Sequence, residues 1–74
     1  MFYNYIYVIE RFNKTISWKN INGEFNSFND IPSYKGYGES IWHHNGKLHR
    51  GYGRPAVIYP NGNCEYWYYG RRVG

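Results

Sequence analysis

Helix-forming residues are nearly missing from this chain: in 74 positions alanine occurs once, at Ala56, and leucine once, at Leu48. That argues against a helical domain, because Ala and Leu head the scale of helix propensity. Cysteine is equally scarce. Cys64 is alone and cannot pair within the chain, so no disulfide staples the fold, and a reducing compartment fits. Acidic side chains number five against nine Lys and Arg. No apolar run approaches the roughly 20 residues of a membrane helix. The start of the chain has neither a basic n-region nor a small-residue cleavage site, so the expectation is a cytoplasmic protein.

What is abundant is aromatic mass. Ten Tyr, four Phe and three Trp are too many rings for so short a chain to bury, so some should line an exposed binding face. These residues favour pleated surfaces, while nine Gly and many Asn favour turns. The fold class is therefore all-β, in one domain covering residues 1–74.

The net charge of +4 is unevenly spread. Over residues 1–45, Arg11, Lys14, Lys19 and Lys35 balance Glu10, Glu24, Asp30 and Glu39. Over residues 46–74, Lys47, Arg50, Arg54, Arg71 and Arg72 face Glu65 alone. A basic half of that kind points to an acidic partner.

A repeat organises the chain. Gly38, Trp42, Gly46 and Lys47 recur as Gly62, Tyr66, Gly70 and Arg71 at a spacing of 24, and Trp18 lies 24 before Trp42. Pro32 and Pro55 are 23 apart, so one residue is gained or lost between units. The units read as an N-terminal strand with a degenerate repeat (1–30), a full repeat (31–53) and a C-terminal capping repeat (54–74). Asn-Gly at 22–23, 45–46 and 61–62 marks hairpin turns of type I′, which need positive φ at both positions. Strands are expected near 2–9, 15–20, 31–35, 38–44, 55–60 and 64–69, about six in a single antiparallel meander. Alternation groups Ser40, Trp42 and His44 on one face and Cys64, Tyr66 and Tyr68 on another. Trp18, Trp42 and Tyr66 then form a ladder of rings on the core side, with a ligand platform as the alternative reading.

The residues Tyr37-Gly38-Glu39, Trp42, Asn45-Gly46-Lys47-Leu48-His49, Gly51-Tyr52-Gly53 and Tyr59-Pro60-Asn61-Gly62, followed by Tyr66, resemble the MORN repeat. Trp42 to Ala56 is also similar to a variant, W-x-x-N-G-K-x-H-R followed by G-P-A, of small phage and giant-virus proteins. Arg50 stands where the standard MORN repeat has glycine after the histidine, which suits the viral variant. The resemblance covers residues 34–72. It implies a ribbon-like antiparallel sheet used for scaffolding or docking, and a viral accessory factor acting on host machinery.

Chemistry is hard to place. His43 and His44, adjacent on a strand, point to opposite faces, and one cysteine without paired ligands does not make a zinc site. No nucleophile has a base and orienter in a recognisable motif, and there is no phosphate loop, so the chain is read as non-catalytic, with no cofactor and no metal. The candidate partner-binding set is Lys47, Arg50, Tyr52, Arg54, Trp67, Tyr68, Tyr69, Arg71 and Arg72. Cations interleaved with rings suit an acidic patch on a host protein that is thereby inhibited or redirected. They also suit RNA or single-stranded nucleic acid. Open edge strands invite a homodimer.

Overall fold

The computed structural model describes residues 7–74. Those residues contain no helix, and the expected all-β meander is there, in ten short strands: β1 Tyr7–Phe12, β2 Thr15–Asn20, β3 Tyr34–Gly36, β4 Glu39–Ile41, β5 His43–His44, β6 Lys47–Leu48, β7 Val57–Ile58, β8 Cys64–Glu65, β9 Trp67–Tyr68 and β10 Arg71–Arg72. Six of them pair in the antiparallel order β1-β2-β3-β4-β7-β8, and β5-β6 and β9-β10 form two separate hairpins. The chain is a slab with principal extents of 40 × 28 × 16 Å. Residues 2–6 of the expected first strand lie outside the described part.

The strands outnumber the expected six because two long ones break in the middle. At Trp42 the N–H donates to Ala56 O at 2.7 Å, in the large sheet, while the C=O accepts from His49 N at 3.1 Å, in the hairpin row. With its two backbone groups serving different neighbours, Trp42 ends one ladder and begins another: β4 stops and β5 starts. Tyr66, 24 residues later, also separates two strands, but its N donates to Gly74 O and its O accepts from Val73 N, both at 2.8 Å, so both groups serve one segment. Trp18, 24 residues earlier, has the split pattern of Trp42, N donating to Ser33 O at 2.7 Å and O accepting from Asn26 N at 3.0 Å, yet β2 runs through it unbroken against β1. Trp18, Trp42 and Tyr66 are the pivot positions of the repeat: Trp18 and Trp42 share one split hydrogen-bond pattern, and Trp42 and Tyr66 interrupt their strands. Face alternation does not carry across a pivot, so grouping Ser40 with His44, or Cys64 with Tyr68, as continuous strand faces is corrected.

The hairpin row is itself stitched together. Gly46 N donates to Phe25 O and Ser27 N to His43 O, at 2.9 and 2.8 Å; one unit on, Gly70 N donates to Leu48 O and Arg50 N to Trp67 O, at 2.8 and 3.2 Å. Strands β6 and β10 are absent from the sequence reading: β6 pairs with β5 and accepts Gly70 N at Leu48 O on its other side, while β10 pairs with β9.

Turn chemistry departs from expectation in an informative way. Asn45-Gly46 has positive φ at both residues, 47° and 84°, as type I′ requires. Asn22-Gly23 and Asn61-Gly62 do not. In each only the glycine is left-handed, inside a three-residue loop closed by Asn20 N→Glu24 O and by Tyr59 N→Asn63 O, both 2.8 Å. The extra residue makes a type I turn with a bulge instead. Two positive φ values also occur at Asn29-Asp30 and at three Tyr-Gly turns, Tyr37-Gly38, Tyr52-Gly53 and Tyr69-Gly70, with tyrosine at 52°, 61° and 48°. A bulky residue there costs about 1–3 kcal/mol and persists only where the surroundings fix it.

The core is thin. Trp42, Ala56 and Val57 are buried, with Ser33 and Asn26 beside them. No buried side-chain nitrogen or oxygen among the described residues lacks a hydrogen-bond partner. Asn26 Oδ1 accepts Asn45 N at 2.7 Å, and Ser33 Oγ donates to Ile41 O at 3.0 Å. Polar burial of this kind joins neighbouring units where apolar volume is short.

Candidate functional site

The nine expected partner-binding residues fall into three groups. The first surrounds Asp30. Arg50 grips both carboxylate oxygens, Nε to Oδ1 at 3.0 Å and Nη2 to Oδ2 at 3.1 Å, and Arg54 Nη1 adds a bond to Oδ2 at 2.7 Å. Arg50 also donates from Nη1 to Pro55 O at 3.2 Å, and its guanidinium lies 3.7 Å from the centroid of the Trp42 ring. Trp42 Nε1 returns a bond to Asp30 O at 2.9 Å. Hydrogen bonding from Arg50, above all, holds the Asp30 carboxyl below its ordinary value; burial opposes it, and the charge of Arg50 with the bond and charge of Arg54 add to the lowering. Arg50 is thus spent on the protein itself, with 15% of its side chain exposed, whereas Arg54 keeps 55%. Tyr52, almost wholly exposed, stands beside Arg54, whose guanidinium is 6.0 Å from the Tyr52 centroid.

The second group turns to Glu65. Trp67 Nε1 donates to Oε1 at 2.9 Å and Tyr59 OH to Oε2 at 2.8 Å, with Arg72 Nη1 at 3.7 Å. The Trp67 and Tyr59 bonds lower the Glu65 carboxyl from its ordinary value, and the same bond raises the Tyr59 hydroxyl. Arg72 lies directly opposite Trp67 in the β9-β10 register, so the two share a face.

The third group takes the other face. Arg71 is opposite Tyr68, and Lys47 is opposite His44 in the β5-β6 register. Four rings cluster between them: His49 stacks on Tyr69 with centroids 3.9 Å apart and meets Tyr68 at 4.7 Å, while His44 meets Tyr69 edge-on at 5.5 Å. The stem of Lys47 runs past Gly70, where an added Cβ would lie 3.6 Å from it. Tyr68 and Tyr69 are about half exposed. No carboxylate among the described residues pairs with Lys47 or Arg71, whereas Arg50, Arg54 and Arg72 each have one.

An open cleft of about 320 Å³ joins the first and third groups, lined among others by Ser27, Asp30, His44, His49, Arg50 and Arg54. His43, on its wall, shares a 2.7 Å hydrogen bond between Nδ1 and Ser33 Oγ and stacks on Phe25. Burial lowers the pKa of both His43 and His49, with the charge of His44 adding to the shift at His49. Among the described residues no three His, Cys, Asp or Glu side chains converge as metal ligands. No helix among them is long and apolar enough to cross a membrane.

Sequence reasoning missed Asp30, the anchor of the first group, because it lies 20 and 24 residues from its cationic partners in a segment without strand periodicity. Its one signal is Asn29-Asp30, a pair of residue types tolerant of left-handed backbone; both have positive φ here. No family model matches the chain, and neither the curated proteins nor the solved structures yield a match.

Proposed function

We propose that this is a non-catalytic binding protein that docks on a partner protein through the face carrying Lys47, Tyr68, Tyr69 and Arg71. One observation carries the reading: the two cations of the basic half without a carboxylate partner flank exposed rings on a single face, while each of the other three pairs with Asp30 or Glu65. Tyr and Arg set around a ring cluster are the composition of a protein hot spot. A phosphate backbone would call for more free cations, since single-strand binders lay a continuous positive groove along the strand. The partner surface should present a carboxylate beside apolar area. The resemblance of Trp42 to Ala56 to phage and giant-virus repeats supports a viral accessory factor, and the partner is then a host protein, in the cytoplasm, that it inhibits or redirects.

The test is capture of partners on immobilised protein with and without nuclease, with Tyr68→Ala and Arg71→Glu run in parallel. A stoichiometric protein that survives nuclease and is lost by both variants supports the reading. Recovered RNA, or a partner indifferent to both variants, overturns it.

A further inference from the structure

The cleft between the Asp30 and His49 groups lies beside the docking face, and what it can bind follows from its hydrogen-bond bookkeeping. Its one carboxylate is engaged by two guanidiniums: Oδ1 of Asp30 accepts from Arg50, and Oδ2 accepts from both Arg50 and Arg54. The other lining groups present donors. Arg54 gives Asp30 an N–H from Nη1 and is otherwise half exposed, with further guanidinium N–H groups to offer. Ser27 Oγ accepts His43 N at 3.2 Å, which leaves its own O–H to give. His49 Nδ1 accepts Tyr69 N at 3.0 Å, so in the neutral ring the proton is on Nε2, a donor. Two guanidiniums against one carboxylate leave the cleft positive.

A second observation comes from the rim. Tyr52 is 95% exposed, yet its backbone is held at φ 61°, where asparagine or glycine would be at ease. Tyr69 has the same backbone, but its ring is stacked on His49; the ring contact described for Tyr52 is the distant one with Arg54. An unburied flat ring in a strained turn, beside a donor-lined cleft, is a platform waiting for a planar group.

We infer that this cleft binds a mononucleotide: a phosphate monoester held by Arg54, Ser27 and His49, with its base stacked on Tyr52. The volume of about 320 Å³ lies at the small end of ligand sites. The site adjoins the docking face at His49 but uses neither Tyr68 nor Arg71, and it stands whether or not that reading does.

The experiment titrates the full chain with adenosine 5′-monophosphate by NMR, with adenosine, inorganic phosphate and a short oligonucleotide lacking terminal phosphate as separate arms. Saturable shifts at Tyr52, Arg54 and His49 are expected, with adenosine and phosphate each far weaker than the monophosphate. Tyr52→Asn should weaken the monophosphate about tenfold, the scale of one base–ring stack, while its urea midpoint is unchanged or raised, because Asn suits the turn. Arg54→Gln should weaken it as well. No saturable binding of the monophosphate, or affinity indifferent to Tyr52→Asn, overturns the inference. So does an oligonucleotide that binds as tightly as the monophosphate, which would make the cleft a single-strand site.

Discussion

The backbone N–H of Tyr69 donates to Nδ1 of His49 at 3.0 Å, and the two rings stack with centroids 3.9 Å apart. One imidazole thus ties the turn of the third hairpin to the end of the second. The tie requires an unprotonated Nδ1, which fixes how it responds to acid.

Stability should fall as pH drops below about 6.5. The pKa values of His49 and His43 are lowered from 6.5 in the folded chain, chiefly by burial, so the unfolded chain binds protons first. Their contribution is complete above 6.5 and is lost as pH falls through the folded values. The groups around His49 are His44, whose charge acts in the same direction, and the rings of Tyr68 and Tyr69. A second loss, from Asp30 and Glu65, whose pKa values are lowered from 3.8 and 4.5, belongs to more acidic pH. Urea midpoints measured between pH 8 and 5 check the first step; a flat profile there would contradict it.

Arg50→Lys should destabilise the chain by about 1 kcal/mol and Arg50→Ala by about 2 kcal/mol. Lysine keeps the charge but loses the bidentate grip on Asp30 and the flat contact with Trp42. These figures stay small because Asp30 is 42% exposed, so solvent screens the ion pair. Equal stability of wild type and Arg50→Lys in denaturant melts would show that the fork geometry carries nothing.

Gly36→Ala should cost about 2 kcal/mol or more, as overpacking does. Gly36 is buried in β3, and an added Cβ would sit 2.6 Å from Thr15 Cγ2 and 3.2 Å from its Cα. Because main chain as well as side chain is in the way, Thr15→Ala should restore only part of the loss. Full restoration in the double variant would show that the Thr15 methyl alone was responsible.

Arg71→Glu should weaken partner capture, and Arg72→Glu should leave it nearly unchanged. The two are neighbours in β10, but Arg71 shares a face with Tyr68, and Arg72 shares one with Trp67 and Glu65. Equal losses in a quantitative pull-down would mean that both faces of the hairpin meet the partner.

The spacing of 24 made Trp18, Trp42 and Tyr66 legible as equivalent positions, and Trp18 and Trp42 do share one split hydrogen-bond pattern, although Tyr66 does not. Asn45-Gly46 was legible for the same reason that it works, its tolerance of two positive φ values. The breaks at the pivots were not, since side-chain alternation says nothing about which neighbour each backbone group serves. Nor were the Tyr-Gly turns: at Tyr69 stacking on His49 overrides the local preference of tyrosine, while Tyr52 holds the same backbone with its ring exposed. At the candidate site, composition located the cations but not their partners: Asp30 reaches Arg50 and Arg54 through a stretch with no periodic signal.

The pivots also bear on how the chain reaches this shape. Trp18, Trp42 and Tyr66 bond to carbonyls no more than 15 residues downstream, at Ser33, Ala56 and Gly74. Closing loops that short is fast, and topology built from near neighbours in sequence speeds folding. Each hairpin also finds the edge it needs already laid down by the one before it. Such a chain can zip up in order as it leaves the ribosome, with each 24-residue advance templating the next.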